Sequence, residues 1–172
     1  MRIQPVAPGS RPELAAVEAR ILAERGRISP LYQVLLHSPP IAHGWEQMLS
    51  AVRNRSSLDA GLRELVILRV AVLNDAPYEF TAHVPHARMA GKSDAAIEAT
   101  RAVPCAADAP WTEHETVALR LTDAMTREIT VSEGLFAQVQ ARFSVQEQVD
   151  LVATIAAYNM VSRFLTALHI GH

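Results

Sequence analysis

The chain has 172 residues, 49% hydrophobic and 20% charged, enough to bury one core and too few to argue for two, so a single domain over 1–172 is expected. Its 16 Lys and Arg are interspersed with 18 Asp and Glu, giving a net charge of -2 and no basic stripe, which argues against a nucleic-acid partner. The single cysteine, Cys105, excludes an internal disulfide framework and any cysteine-pair metal or redox motif. Met1-Arg2-Ile3-Gln4-Pro5-Val6 lacks the apolar run of a signal peptide, and no apolar run is read as approaching the ~18 residues of a membrane span. The expectation is a cytoplasmic protein without a membrane partner.

Pro5, Pro8, Gly9 and Pro12 deny residues 1–12 the geometry of a helix, so these are expected as an extended arm. Leu14, Val17, Ile21 and Leu22 form a helical stripe ending at Arg25, and Leu31, Val34 and Leu35 form a second after Ser29-Pro30. Ser38-Pro39-Pro40 opens a third helix through Ile41, Trp45, Met48, Leu49 and Val52. Ser57 is read as the N-cap of a nearly all-apolar helix carrying Leu62, Leu65, Val66, Ile67, Leu68, Val70 and Val72. Asp75 is read as the cap of the next helix, with Pro77 in its first turn and Gly91 at its end. These two helices, 58–74 and 77–90, are expected to pack antiparallel as a central hairpin. Ser93 starts a short helix, and Ser132 precedes another with Leu135, Phe136, Val139 and Phe143. Thr112 with Glu115, and Ser144 with Glu147, have the spacing of capping boxes, the second opening a final helix from Val145 to about Leu168. No stretch alternates at period two. The fold class is therefore an all-α helical bundle.

Glu79 and His83 stand at i and i+4 and so share a helix face, where they form a proton-handling pair if buried. The alternative is an ordinary surface pair contributing about 0.3–0.5 kcal/mol. A neighbouring carboxylate raises an imidazole pKa and burial lowers it, and the sequence leaves the sign open. Arg63 and Glu64 read either as a structural ion pair or as further members of this site. His86 lies on a similar face, but two histidines and one acid make too loose a signature, and no metal is expected. Arg88 and Arg163 are candidate partners for a substrate carboxylate, against solvated or structural roles. Tyr158, Trp45 and His37 line a pocket or belong to the core, and His169 and His172 are expected to be exposed near the terminus.

The string Arg63-Glu64-Leu65, an apolar helix, then Tyr78-Glu79-Phe80-Thr81-Ala82-His83 and Gly91 resembles the carboxymuconolactone decarboxylase and alkylhydroperoxidase-D-like superfamily over residues 57–102. In its redox branch Cys-x-x-Cys-x-x-x-His occupies the second helix, and here Ala76 and Glu79 stand at the two cysteine positions. A carboxylate forms neither a sulfenic acid nor a disulfide, which disfavours thiol peroxidase chemistry. The decarboxylase branch shares Glu-Phe-x-x-His, met here by Glu79, Phe80 and His83. That resemblance implies an enzyme without cofactor, with His83 as general acid/base, Glu79 orienting it and Glu64 as a proton relay. Arg63, His86, Arg88 and Tyr158 are the expected substrate contacts, and the resemblance implies a homo-oligomer, trimer or hexamer. The chain departs from the branch in its helices before the motif and in Ala157-Tyr158-Asn159-Met160-Val161, where the decarboxylases carry Gly and Pro after the Tyr. A cofactor-independent lyase, decarboxylase or isomerase acting on a small carboxylated or lactone substrate is expected. The alternative is a non-catalytic, stress-linked or regulatory homo-oligomer of the same fold.

Overall fold

The computed structural model describes residues 1–106 and 108–171, and among these there is helix and loop but no strand. A 3-10 turn, Pro12–Leu14, leads into α1 (Ala15–Arg25), which Gly26 ends at φ 70, a left-handed position that favours glycine. Prolines in the first turn start α2 (Pro30–Leu35) and α3 (Pro39–Asn54), where the missing N–H has no intrahelical partner to lose. Then come α4 (Ala60–Leu73), α5 (Pro77–Met89), α6 (Asp94–Ala99), α7 (Glu113–Asp123), α8 (Glu133–Gln140) and α9 (Val145–Leu168). Ser93, Thr112 and Ser132 each accept a hydrogen bond from a backbone N–H three residues on, and both expected capping boxes close, Thr112 with Glu115 and Ser144 with Glu147.

Two caps differ from the sequence-based expectation. Asp59, not Ser57, caps α4, its carboxylate accepting from the Leu62 N–H at 2.9 Å. The Ser57 N–H and hydroxyl are both drawn to Asp150, each at 2.7 Å. Asp75 does not cap α5; it sits at φ 51 in the turn, and Ala76 takes the N-cap position without a side-chain bond. Pro85 lies inside α5, and a π-helical turn, Ala124–Glu128, follows α7 until Ile129 ends it at φ 65. The N-terminal arm is tethered: the Arg2 N–H donates to Leu168 O at 2.9 Å and the Val6 N–H to Gln33 O at 3.0 Å.

The chain forms two compact units, Met1–Arg55 with the chain from Leu165 on, and Ser56–Phe164. In the second unit α4 packs against both α5 and α7, with Leu65, Val66, Ile67, Leu68 and Val70 removed from solvent altogether. At roughly 1.5–3 kcal/mol for each fully buried aliphatic side chain, this run fixes α4 as the frame against which α5 is positioned. Leu68 and Ala71 join Ala76, Phe80 and Ala87 of the neighbouring turn and helix in one cluster, with Val84 packed on it. α5 is thus a packed helix. α9 corrects one expectation: its 24 residues are long and apolar enough to cross a membrane, although 50% of its most apolar window is buried inside the fold, as in a core helix.

Candidate functional site

The short link between α4 and α5 is closed by hydrogen bonds from the Asp75 N–H to Val72 O at 3.1 Å and from the Ala76 N–H to Ala71 O at 2.9 Å. The resulting antiparallel hairpin brings Glu64 of α4 opposite His83 of α5. His83 Nδ1 lies 2.6 Å from Glu64 Oε2, and Nε2 lies 3.1 Å from Glu79 Oε1 one turn earlier on the same helix. Glu64, Glu79 and His83 are only 3%, 6% and 4% exposed, which rules out the reading of Glu79 and His83 as a surface pair.

A neutral imidazole has one N–H, so a second nitrogen facing a carboxylate would set lone pair against lone pair. The arrangement is satisfied when both ring nitrogens carry hydrogen. Burial is the largest influence on His83 and would lower its pKa, but hydrogen bonds to Glu64 and then Glu79, with their charges, outweigh it and raise the pKa above the ordinary 6.5. The geometry and the direction of the shift both favour an imidazolium between the two carboxylates, a group able to give up a proton and take it back.

Around this cluster the Tyr158 ring meets His83 edge-on at 5.2 Å between centroids, and the exposed His86 ring lies at 5.6 Å and 53°. Arg63 Nε is 3.9 Å from Glu64 Oε1. Arg88 stands exposed, its guanidinium 2.7 Å from Asp94, and Arg163 is exposed on α9. The structure therefore brings Glu64, Glu79, His83, His86, Tyr158 and Arg63 together, and engages Arg88 elsewhere. Trp45 is buried in the first unit, where the exposed His37 has Nε2 2.8 Å from Gln4 O. His169 is exposed, and His172 lies outside the described residues. No group of three or more His, Cys, Asp and Glu among the described residues is placed to hold a metal ion.

Arg69 escaped the sequence reading, which took α4 as an apolar stripe. It is fully buried, and its Nε and Nη2 donate to Asp123 at 2.6 and 2.7 Å while Nη1 donates to Thr100 O and Ala102 O at 2.8 and 2.6 Å. Cys105 Sγ lies 3.7 Å from the same Asp123, and burial with that carboxylate pushes the thiol pKa up, away from reactivity. A lone arginine in an apolar run is a sign that some distant carboxylate must meet it.

The family model for the carboxymuconolactone decarboxylase family matches residues 39–124, half of the chain. The chain belongs to this family. Its fold is shared with a variant of the debrominase Bmp8 in complex with 2,3,4-tribromopyrrole, at 15% identity and TM-score 0.80 over 98% of this chain and 90% of that one. An uncharacterized peroxidase-related protein from Silicibacter is similar at 17% identity and TM-score 0.80, over 96% of this chain and 87% of that one. A putative antioxidant defence protein of the alkylhydroperoxidase-D type from Agrobacterium tumefaciens is 23% identical with TM-score 0.73, over 81% and 94% of the two chains. At these identities the likeness is one of fold. No curated protein matches the sequence at a significant level.

Proposed function

We propose that this family member is a cofactor-independent lyase, of decarboxylase or isomerase type, that works by general acid–base chemistry on a small carboxylated or lactone substrate in the cytoplasm. The observation that supports this is the buried His83 with a carboxylate on each ring nitrogen. Glu64, at the shorter distance, fixes the ring through Nδ1 and supports its charge. Glu79, at the longer distance on Nε2, is the partner whose contact yields when the proton moves. This exchanges the roles that the sequence alone suggested for the two acids. In a decarboxylation the C–C bond to the carboxyl group breaks, its electron pair passes into the conjugated system, CO2 leaves, and His83 delivers a proton to carbon. Solvent then returns a proton to the imidazole. In an isomerisation the imidazolium gives its proton to one carbon and the neutral ring then takes a proton from another.

Thiol peroxidase chemistry is not proposed, since the chain's single cysteine has no partner for an intramolecular disulfide. The test is a panel of small unsaturated acids and lactones, followed by His83→Gln on whichever compound is turned over. Turnover is expected to fall about 10²- to 10⁴-fold with helix content unchanged by circular dichroism. Equal turnover by the two proteins would remove His83 from the reaction.

A second reading, a non-catalytic homo-oligomer, is favoured by the near-complete closure of the cluster in the single chain. Assembly as a trimer or hexamer is part of either proposal. Its support is the apolar surface of α9, where Val145, Val149 and Met160 are 77%, 63% and 39% exposed. Absence of turnover by the wild type across the panel would favour this second reading.

A further inference from the structure

The cluster around His83 contains one residue whose bonding is incomplete. Among the described residues the Arg63 guanidinium has one ion-pair partner, with Nε 3.9 Å from Glu64 Oε1, beyond hydrogen-bonding distance. Its Nε is buried with no hydrogen-bond partner among the described residues, and the side chain is only 15% exposed. A buried charged donor without an acceptor is costly to keep. Elsewhere on α4 the protein avoids that cost, since Arg69 gives four hydrogen bonds to a carboxylate and two carbonyls. We infer that Arg63 receives the carboxylate of the ligand, so that the site selects small carboxylate anions over neutral molecules of the same shape.

Three further features fit this. Guanidinium offers paired N–H groups matched to a carboxylate. Glu64 stands beside both cations, with Oε1 toward Arg63 and Oε2 on His83, so Arg63 and the imidazole share one neighbouring carboxylate. Arg63 is more exposed than the three charged side chains beside it, at 15% against 4%, 5% and 8% for Glu64, His83 and Glu79. With His83 protonated the four charges sum to zero, and the anion faces no net repulsion. A carboxylate gripped in this way is stabilised against losing its charge as CO2, so it is a handle, and the reacting carbon lies elsewhere in the ligand. Only this last step rests on the proposed acid–base function.

Crotonate and its neutral isostere crotonamide are suitable probes, titrated by isothermal calorimetry into the full-length wild type, Arg63→Gln, Arg63→Lys and His83→Gln. Crotonate is expected to bind wild type about 10- to 100-fold more tightly than crotonamide. Arg63→Gln abolishes that preference, and Arg63→Lys, which keeps the charge without the paired donors, retains part of it. His83→Gln keeps part of the preference, since it spares the Arg63 guanidinium but leaves one net negative charge, so a failure of the acid–base reading shows in turnover while the anion site still shows in binding. The inference is overturned if wild type does not bind crotonate, binds both probes equally, or keeps its preference in Arg63→Gln. It is overturned equally if Arg63→Gln changes the assembly by light scattering with the preference intact, which would assign the free donors to a subunit contact.

Discussion

Arg63 and Arg69 lie on the same helix, α4, yet one is closed and the other open. Arg69, with no solvent exposure, meets both oxygens of Asp123 and two backbone carbonyls, so its charge is fully answered by the protein. Arg63 faces Glu64 from 3.9 Å and has a buried Nε without a bond. The first arrangement ties α4 to α7 and to the segment after α6, and does nothing further. The second leaves a donor beside the carboxylate that holds the His83 ring. Within a buried ionic region, saturation of the hydrogen bonds separates a structural group from one available to a ligand.

Substitution at the two arginines tests that distinction through stability. Arg69→Met removes the cation and leaves Asp123 and two carbonyls unanswered, a loss of about 3–5 kcal/mol that lowers Tm by about 10 °C in a chain of this size. Arg63→Met removes no hydrogen bond and is expected to move Tm by less than about 2 °C. Differential scanning fluorimetry of both variants reads the contrast, and equal losses would erase it.

A smaller effect separates the two carboxylates on His83. Glu64→Gln, acting at 2.6 Å, is expected to lower the His83 pKa, and Glu79→Gln, acting at 3.1 Å, to lower it less. Ring-proton NMR titration of the two variants gives the order. A larger drop in Glu79→Gln would return the orienting role to Glu79.

The helices were legible because their signals are local. Thr112 with Glu115 and Ser144 with Glu147 close within one turn, and the stripe Leu65 to Leu68 is buried as its apolarity requires. Ser57 misled because its partner, Asp150, is distant in sequence, and that bond, unlike a cap, leaves no local pattern. Asp75 misled because a left-handed turn residue and an N-cap have similar composition. At the site, Glu79 and His83 were visible from their i,i+4 spacing. Glu64 entered through the family resemblance, since nothing in its own neighbourhood points to His83. Arg69 was missed altogether because pairing with Asp123 is set by how α4 meets α7.

The acid–base function proposed for the site depends on His83 being a protonated ring held at both nitrogens. Because its folded pKa is raised above 6.5, the stability it draws from that charge is complete below the unfolded value and is lost as pH rises through the folded one. Nitrogen-15 NMR of the His83 ring in the full-length protein measures the state directly. The expected result is an imidazolium with hydrogen on both Nδ1 and Nε2 at pH 6.5, titrating only at higher pH. A ring already neutral at that pH, in one tautomer, would contradict it.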